Sequence, residues 1–156
     1  MRKSKTIDTR HIDTQLINLL QEDCRISFID IAKKLGVSTA TVFNHIKNLE
    51  ERGLVNRYSA VVDSCKLGYG LAVVILMKID GKHITEVQKE VATFKNVMAV
   101  YEVTGDYDVV AICKFRQISE LDVFVKNLLA MPNIRRTVTY VILNVAKEDF
   151  RIQIET

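Results

Sequence analysis

A two-domain α+β fold is the class the sequence predicts: an N-terminal winged helix-turn-helix followed by a ferredoxin-like βαββαβ domain. Three observations predict it. Residues 27–53 read SFIDIAKKLGVSTATVFNHIKNLEERG, two short amphipathic patterns on either side of Gly36-Val37, the second opened by Ser38. From residue 71 onward, apolar strand runs and helical patterns follow in the order β-α-β-β-α-β. Between them, residues 64–70 (SCKLGYG) hold two glycines and read as a break. The expected boundaries are 1–62 for the first domain, 63–70 for a hinge and 71–156 for the second.

The first helix is expected from about Arg10 to Glu22, with Thr9 as its cap and Ile12, Leu16, Leu19 and Leu20 forming one apolar stripe. The second spans about Phe28 to Leu35. Ser27 and Asp30 form an S-x-x-D cap, Ile31, Ala32 and Leu35 mark the buried side, and Gly36 is the stop. Lys33 and Lys34 stay on the open side, where the partner is solvent or phosphate.

The third helix starts at Ser38, a good N-cap, and ends near Arg52, before Gly53. Val42, Ile46 and Leu49 stand at i, i+4 and i+7 and face the core, so at about 100° per residue Ala40, Asn44, Lys47 and Glu51 point the other way. Thr41, Phe43 and Asn48 lie on the flanks. A solvent-facing helix surface is usually rich in charge, whereas the N-terminal half of this one carries small, amide and aromatic groups. Those suit base edges: Asn pairs with adenine, and Thr or Phe meets a thymine methyl. Lys47 suits a phosphate. An ordinary polar helix face is the bland alternative. The candidate DNA contacts are Ser38, Thr39, Thr41, Asn44, His45 and Lys47, with Arg52 and Arg57 as phosphate contacts. Leu54 to Val62 is β-like and reads as a wing or a strand leading out of the helix-turn-helix.

In the second half, Leu71 to Asp80 is a strand, Ile84 to Phe94 a helix, Val97 to Thr104 a strand, and Tyr107 to Phe115 another, with Gly105-Asp106 as the turn between them. A helix follows from Ser119 or Glu120 to Ala130, Pro132 ends it, and Ile134 to Val145 is the last strand. Both faces of these strands are apolar: Val73, Ile75 and Met77 on one side, Val74 and Leu76 on the other, and likewise Val109 and Ala111 against Val110 and Ile112. Two helices cover only one face. The other needs a partner, and a second copy is the simplest, giving a two-fold dimer that meets two DNA half-sites.

Composition narrows the function classes. The chain is 48% hydrophobic and 26% charged, a globular balance, and no run of eighteen apolar residues exists to span a membrane. The N-terminus MRKSKTIDTRH has no apolar stretch behind it, so it is not read as a secretory signal; Arg2, Lys3 and Lys5 make either a frayed tail or a basic arm. Cys24, Cys65 and Cys113 show no paired spacing, which argues for a reducing cytosol and against a disulfide framework or a metal site. Residues 1–62 carry ten Lys/Arg against seven Asp/Glu, while residues 63–156 carry twelve of each. The whole net charge of +3 therefore lies in the helix-turn-helix half, a weak field that favours nucleic acid.

With both halves read, the chain resembles the Lrp/AsnC, or feast/famine, family of prokaryotic transcription factors. The resemblance rests on Asp13-x-x-Leu16-Ile17-x-x-Leu20-Gln21-x-Asp23-x-Arg25, Ile31-Ala32-x-x-Leu35-Gly36-Val37-Ser38, Leu49-Glu50-x-x-Gly53 and Leu67-Gly68, then Thr104-Gly105-Asp106-Tyr107-Asp108. It implies a C-terminal ligand-binding and oligomerisation domain, sheet-mediated dimers that often assemble into octamers, and a free amino acid bound between dimers beside the turn Thr104, Gly105, Asp106, Tyr107 and Asp108. No other cofactor is expected, and the expected location is the cytoplasm, in association with the nucleoid. Two positions depart from the family. Thr9-Arg10 stands where Leu-Asp is frequent, and His45 where the recognition helix usually has arginine. His45 borders the core side of its helix, so it either contacts phosphate or packs.

Two other readings compete with a sequence-specific regulator. One is an enzyme, since siroheme decarboxylases resemble this family in both domains. The three histidines His11, His45 and His83 form no catalytic constellation, so no catalytic residue is assigned. The other is a sequence-tolerant chromatin-organising protein, against which the small net charge argues.

Overall fold

The computed structural model describes residues 9–155. They divide into two compact units: one holds the chain up to Val61 together with the segment from Glu148, and the other runs Val62–Lys147. The candidate basic arm at Arg2, Lys3 and Lys5 lies outside the described residues.

In the first unit, α1 (Thr9–Glu22), α2 (Phe28–Leu35) and α3 (Thr39–Glu51) form the three-helix core of a helix-turn-helix. The expected caps close it. Ser27 Oγ accepts the Asp30 N–H at 3.1 Å, while the Asp30 carboxylate takes the Ser27 hydroxyl at 2.6 Å. Ser38 Oγ accepts the Thr41 N–H at 3.1 Å. Gly36 takes φ 66° and ψ 32°, a left-handed conformation, and its N–H bonds the Ala32 carbonyl, so the chain turns out of α2 where an L side chain would be strained. The periodic positions meet: Ile12, Leu16, Leu20, Ile31, Ala32, Val42, Ile46 and Leu49 are one buried cluster.

Two expectations fail here. Residues 54–62 form no strand, although their composition favours one. A strand needs a ladder partner, and no strand pairs with this segment among the described residues; Leu54, Tyr58, Val61 and Val62 are exposed. It is tied back instead through Tyr58, whose hydroxyl donates to Glu50 at 2.8 Å. Partial burial, then that bond, push the Tyr58 hydroxyl up to about 12. Second, residues 148–155, expected within the second domain, belong to the first unit. They run along α1, where the Gln21 side-chain amide donates to the Ile152 carbonyl at 2.9 Å and accepts its N–H at 2.8 Å. One helical turn away, Asn18 does the same to Ile154, at 3.0 and 3.4 Å. Two amides on one helix face thus hold alternate residues of an extended chain by backbone atoms alone, while Phe150 and Ile152 keep exposed side chains.

The second unit holds β1 (Leu71–Ile79), α4 (Ile84–Val91), β2 (Val97–Glu102), β3 (Val109–Phe115), α5 (Ile118–Ala130) and β4 (Ile134–Val141). The sheet order is β2-β3-β1-β4, all neighbours antiparallel, as the ferredoxin-like reading requires. Strands β2, β3 and β4 are shorter than expected: Val103 to Asp108 forms a loop, and β4 stops at Val141. The stretch expected as a hinge opens with a hydrogen-bonded turn, Tyr69 N–H to the Ser64 carbonyl at 2.8 Å, and belongs to the second unit. Val73, Ile75, Met77, Val109, Ala111, Cys113 and Phe115 are fully buried beneath Val87, Val91, Leu121, Phe124 and Leu128 of the two helices. Cys113 is among them, and burial pushes its thiol up to about 12, so it behaves as a small apolar group. On the opposite face, Val74 pairs with Ile112 and Tyr140, and Leu76 with Val110 and Val138. The middle of that face is apolar, and both helices of this unit lie on the other side of the sheet.

Candidate nucleic-acid interface and effector turn

The open surface of α3 is built by its own periodicity. Burying Val42, Ile46 and Leu49 leaves Thr39, Ala40, Phe43, Asn44, Lys47 and Asn48 exposed. Asn44 and Ala40 are at its centre. Lys47 reaches Glu51 at 3.7 Å, a contact between exposed ends that phosphate can replace. Ser38 and Thr41 are less available. Their hydroxyls bond each other at 2.8 Å, and Ser38 also caps the helix.

Each flank of α3 is held by a different helix. On one side, His45 Nδ1 lies 2.7 Å from Asp13 Oδ1 of α1, both side chains only 16% and 14% exposed. Arg52 reaches the other oxygen of the same carboxylate at 3.2 Å and Asn48 Oδ1 at 3.1 Å. On the other side, the Phe43 ring meets Phe28 of α2 with centroids 6.3 Å apart. His45 and Arg52 are therefore tied to α1, whereas Arg57 stays exposed in the segment after α3. Asp13 and Phe28 are the contributors that the candidate contacts left out. A signal for Asp13 existed: it borders the apolar stripe of α1 just as His45 borders that of α3, and a carboxylate at such an edge needs a donor.

The turn between β2 and β3 has a fixed base and a free tip. The Val103 N–H bonds the Asp108 carbonyl at 2.9 Å, and the Asp108 N–H bonds Met77 of β1 at 3.0 Å. Both Asp108 carboxylate oxygens face β1: one accepts the Ile79 N–H at 2.7 Å, the other Lys78 Nζ at 2.9 Å. These contacts, the Ile79 N–H first, hold its carboxyl below the usual carboxylate range. Thr104, Gly105 and Asp106 form the exposed tip, with Gly105 at φ 117°; Tyr107 is half-buried. Asp106 is thus the acidic group turned to solvent, and Asp108 the one that anchors the loop.

Comparison with known proteins agrees with this arrangement. Residues 9–56 match a winged helix-turn-helix DNA-binding domain, and residues 72–152 match the Lrp/AsnC ligand binding domain. An uncharacterized HTH-type transcriptional regulator of Pyrococcus furiosus is 41% identical over 142 residues, covering 91% of this chain and 96% of that one. The HTH-type transcriptional regulator FL11 of Pyrococcus abyssi is 31% identical over 144 residues, covering 92% and 95%. A transcriptional regulator of Neisseria meningitidis, solved as its L-Met complex, shares the fold with a TM-score of 0.85 at 22% identity, over 94% of this chain and 96% of that one. None of these matches supports the enzyme alternative. With both domains matched in order and relatives similar along nearly their whole length, this chain belongs to the Lrp/AsnC family of DNA-binding transcription regulators.

Proposed function

We propose that α3 reads base edges in the major groove, with Asn44 as the base-reading amide and Lys47 and Arg57 on phosphates, and that a free amino acid tunes this binding. The observation that carries the reading is the α3 surface itself: an amide and small residues exposed over the N-terminal half of a helix whose opposite side is fully buried. Asn is suited to adenine in a bidentate contact, and cations beside it suit phosphates. Ser38, Thr39 and Thr41 at the start of the helix lie near the backbone, and His45 and Arg52 act by fixing the helix to α1.

The protein works as a dimer joined through the uncovered sheet face, presenting two recognition helices to half-sites about one helical turn apart. Higher assembly, such as an octamer, brings dimers together, and the protein acts in the cytoplasm on the nucleoid. The turn from Thr104 to Asp108 holds the effector: Asp106 takes the ammonium group, the exposed backbone of Thr104 and Gly105 meets the carboxylate, and Tyr107 and Asp108 shape the base. The L-Met complex of the Neisseria relative supports an amino acid as the ligand class. By linkage, an effector that prefers one assembly state changes DNA affinity through that equilibrium.

Selection of bound duplexes from a random pool, with and without a mixture of the twenty amino acids, tests this. A two-fold consensus whose enrichment changes with the mixture is expected. A pool that stays random sets aside the base-reading claim, and a consensus indifferent to every amino acid sets aside the effector.

A further inference from the structure

Phe43 lies on the recognition helix with 53% of its surface exposed, and Phe28, 38% exposed, lies against it from the start of α2. Ile29 beside them is 59% exposed. Large apolar groups left partly open to water side by side on a helix-turn-helix call for an explanation, because the exposed part of each ring gains nothing from folding. Neither ring belongs to the buried cluster of this unit. Their geometry is ordered nonetheless. Centroids 6.3 Å apart with planes tilted by 58° are a favourable aromatic pairing, so each ring restricts the rotamers of the other.

The position of Phe43 selects the occupant. On α3 it stands about one turn before Lys47 and next to Asn44, on the flank between the buried residues and the open face. Among the groups lining the major groove, the only apolar one is the thymine 5-methyl. We infer that Phe28 and Phe43 form a thymine-methyl reader: Phe43 covers the methyl, and Phe28 is the positioning residue that holds the ring ready for it. The pair adds selectivity for thymine next to the base read by Asn44. It rests on α3 being the base-reading helix, as proposed above.

The test uses the full chain and its best-bound selected duplex, with each thymine replaced in turn by uracil, which removes only the methyl. The parent protein should lose about three- to fivefold in affinity at one thymine per half-site, the amount expected for one buried methyl. Phe43→Ala should bind the thymine and uracil duplexes alike at that position, and Phe28→Ala should lower the ratio there and at no other thymine. A parent protein indifferent to uracil at every position overturns the inference without any variant, as does a Phe43→Ala protein with unchanged ratios. Asn44→Ala separates the two levels. If it loses base discrimination while uracil equals thymine throughout, only the aromatic reader fails. If it keeps full discrimination and no thymine registers, the base-reading role of α3 fails with it.

Discussion

Asp13 of α1 and His45 of α3 are joined at 2.7 Å, and the same carboxylate also receives Arg52. One acidic side chain therefore ties α3 to α1 along one flank. It does so from a position where both partners are mostly shielded from water, which makes each dependent on the other. Asp13→Ala should lower the stability of the DNA-binding unit by about 1–3 kcal/mol in denaturant titration, because a partly buried donor loses its acceptor. DNA affinity should fall for all sequences together.

Gly36 adopts its left-handed conformation with open space where a Cβ would stand. Gly36→Ala should cost about 1–2 kcal/mol, all of it backbone strain. Gly36→Asn should cost less, since Asn tolerates that conformation. Thermal unfolding of the two variants gives the ranking.

Asp108 provides a pH signature. Its carboxyl lies below the ordinary value of 3.8, chiefly through the Ile79 N–H and then Lys78. A depressed folded value means that its contribution is complete above the ordinary value and is lost as pH falls through the lower one. Asp108→Asn should therefore lower the melting temperature at neutral pH by a few degrees. The gap from the parent should stay constant down to about pH 5, begin to narrow below about pH 4 and close only once pH has fallen through the lowered value, where the folded parent loses the same charge.

The C-terminal segment is held by backbone bonds to Asn18 and Gln21, and Arg151 lies beside the clamped Ile152. Gln21→Ala should raise the rate of trypsin cleavage after Arg151 about fivefold or more, at about 1 kcal/mol for each bond lost. A rate equal to the parent's would mean that the clamp does not form in solution.

Local signals foretold most of the fold. Ser27, Ser38, Gly36 and Gly53 mark helix ends through bonds to residues close by in sequence, and the apolar periods of α1, α3, β1 and β3 identify their buried faces. What escaped was long-range. Residues 54–62 have strand composition, but composition does not supply an edge. The segment from Glu148 has an alternating pattern that fits a strand of the second unit, while its actual partners are amides on α1 more than 130 residues earlier. The α3 surface was legible for the same reason as its core: one period fixes both sides. The division of labour between Asp106 and Asp108, and the tie between His45 and Asp13, depend on contacts between elements and became visible only in three dimensions.

The central claim is that Asn44 reads a base and Lys47 a phosphate. The most direct test compares both alanine variants with the parent on the selected duplex and on random DNA across a salt series. Asn44→Ala should lose about 1–3 kcal/mol of discrimination between the two duplexes while keeping its random-DNA affinity. Lys47→Ala should weaken both duplexes equally and reduce the salt slope by about one. An Asn44→Ala protein that discriminates as well as the parent would contradict the account.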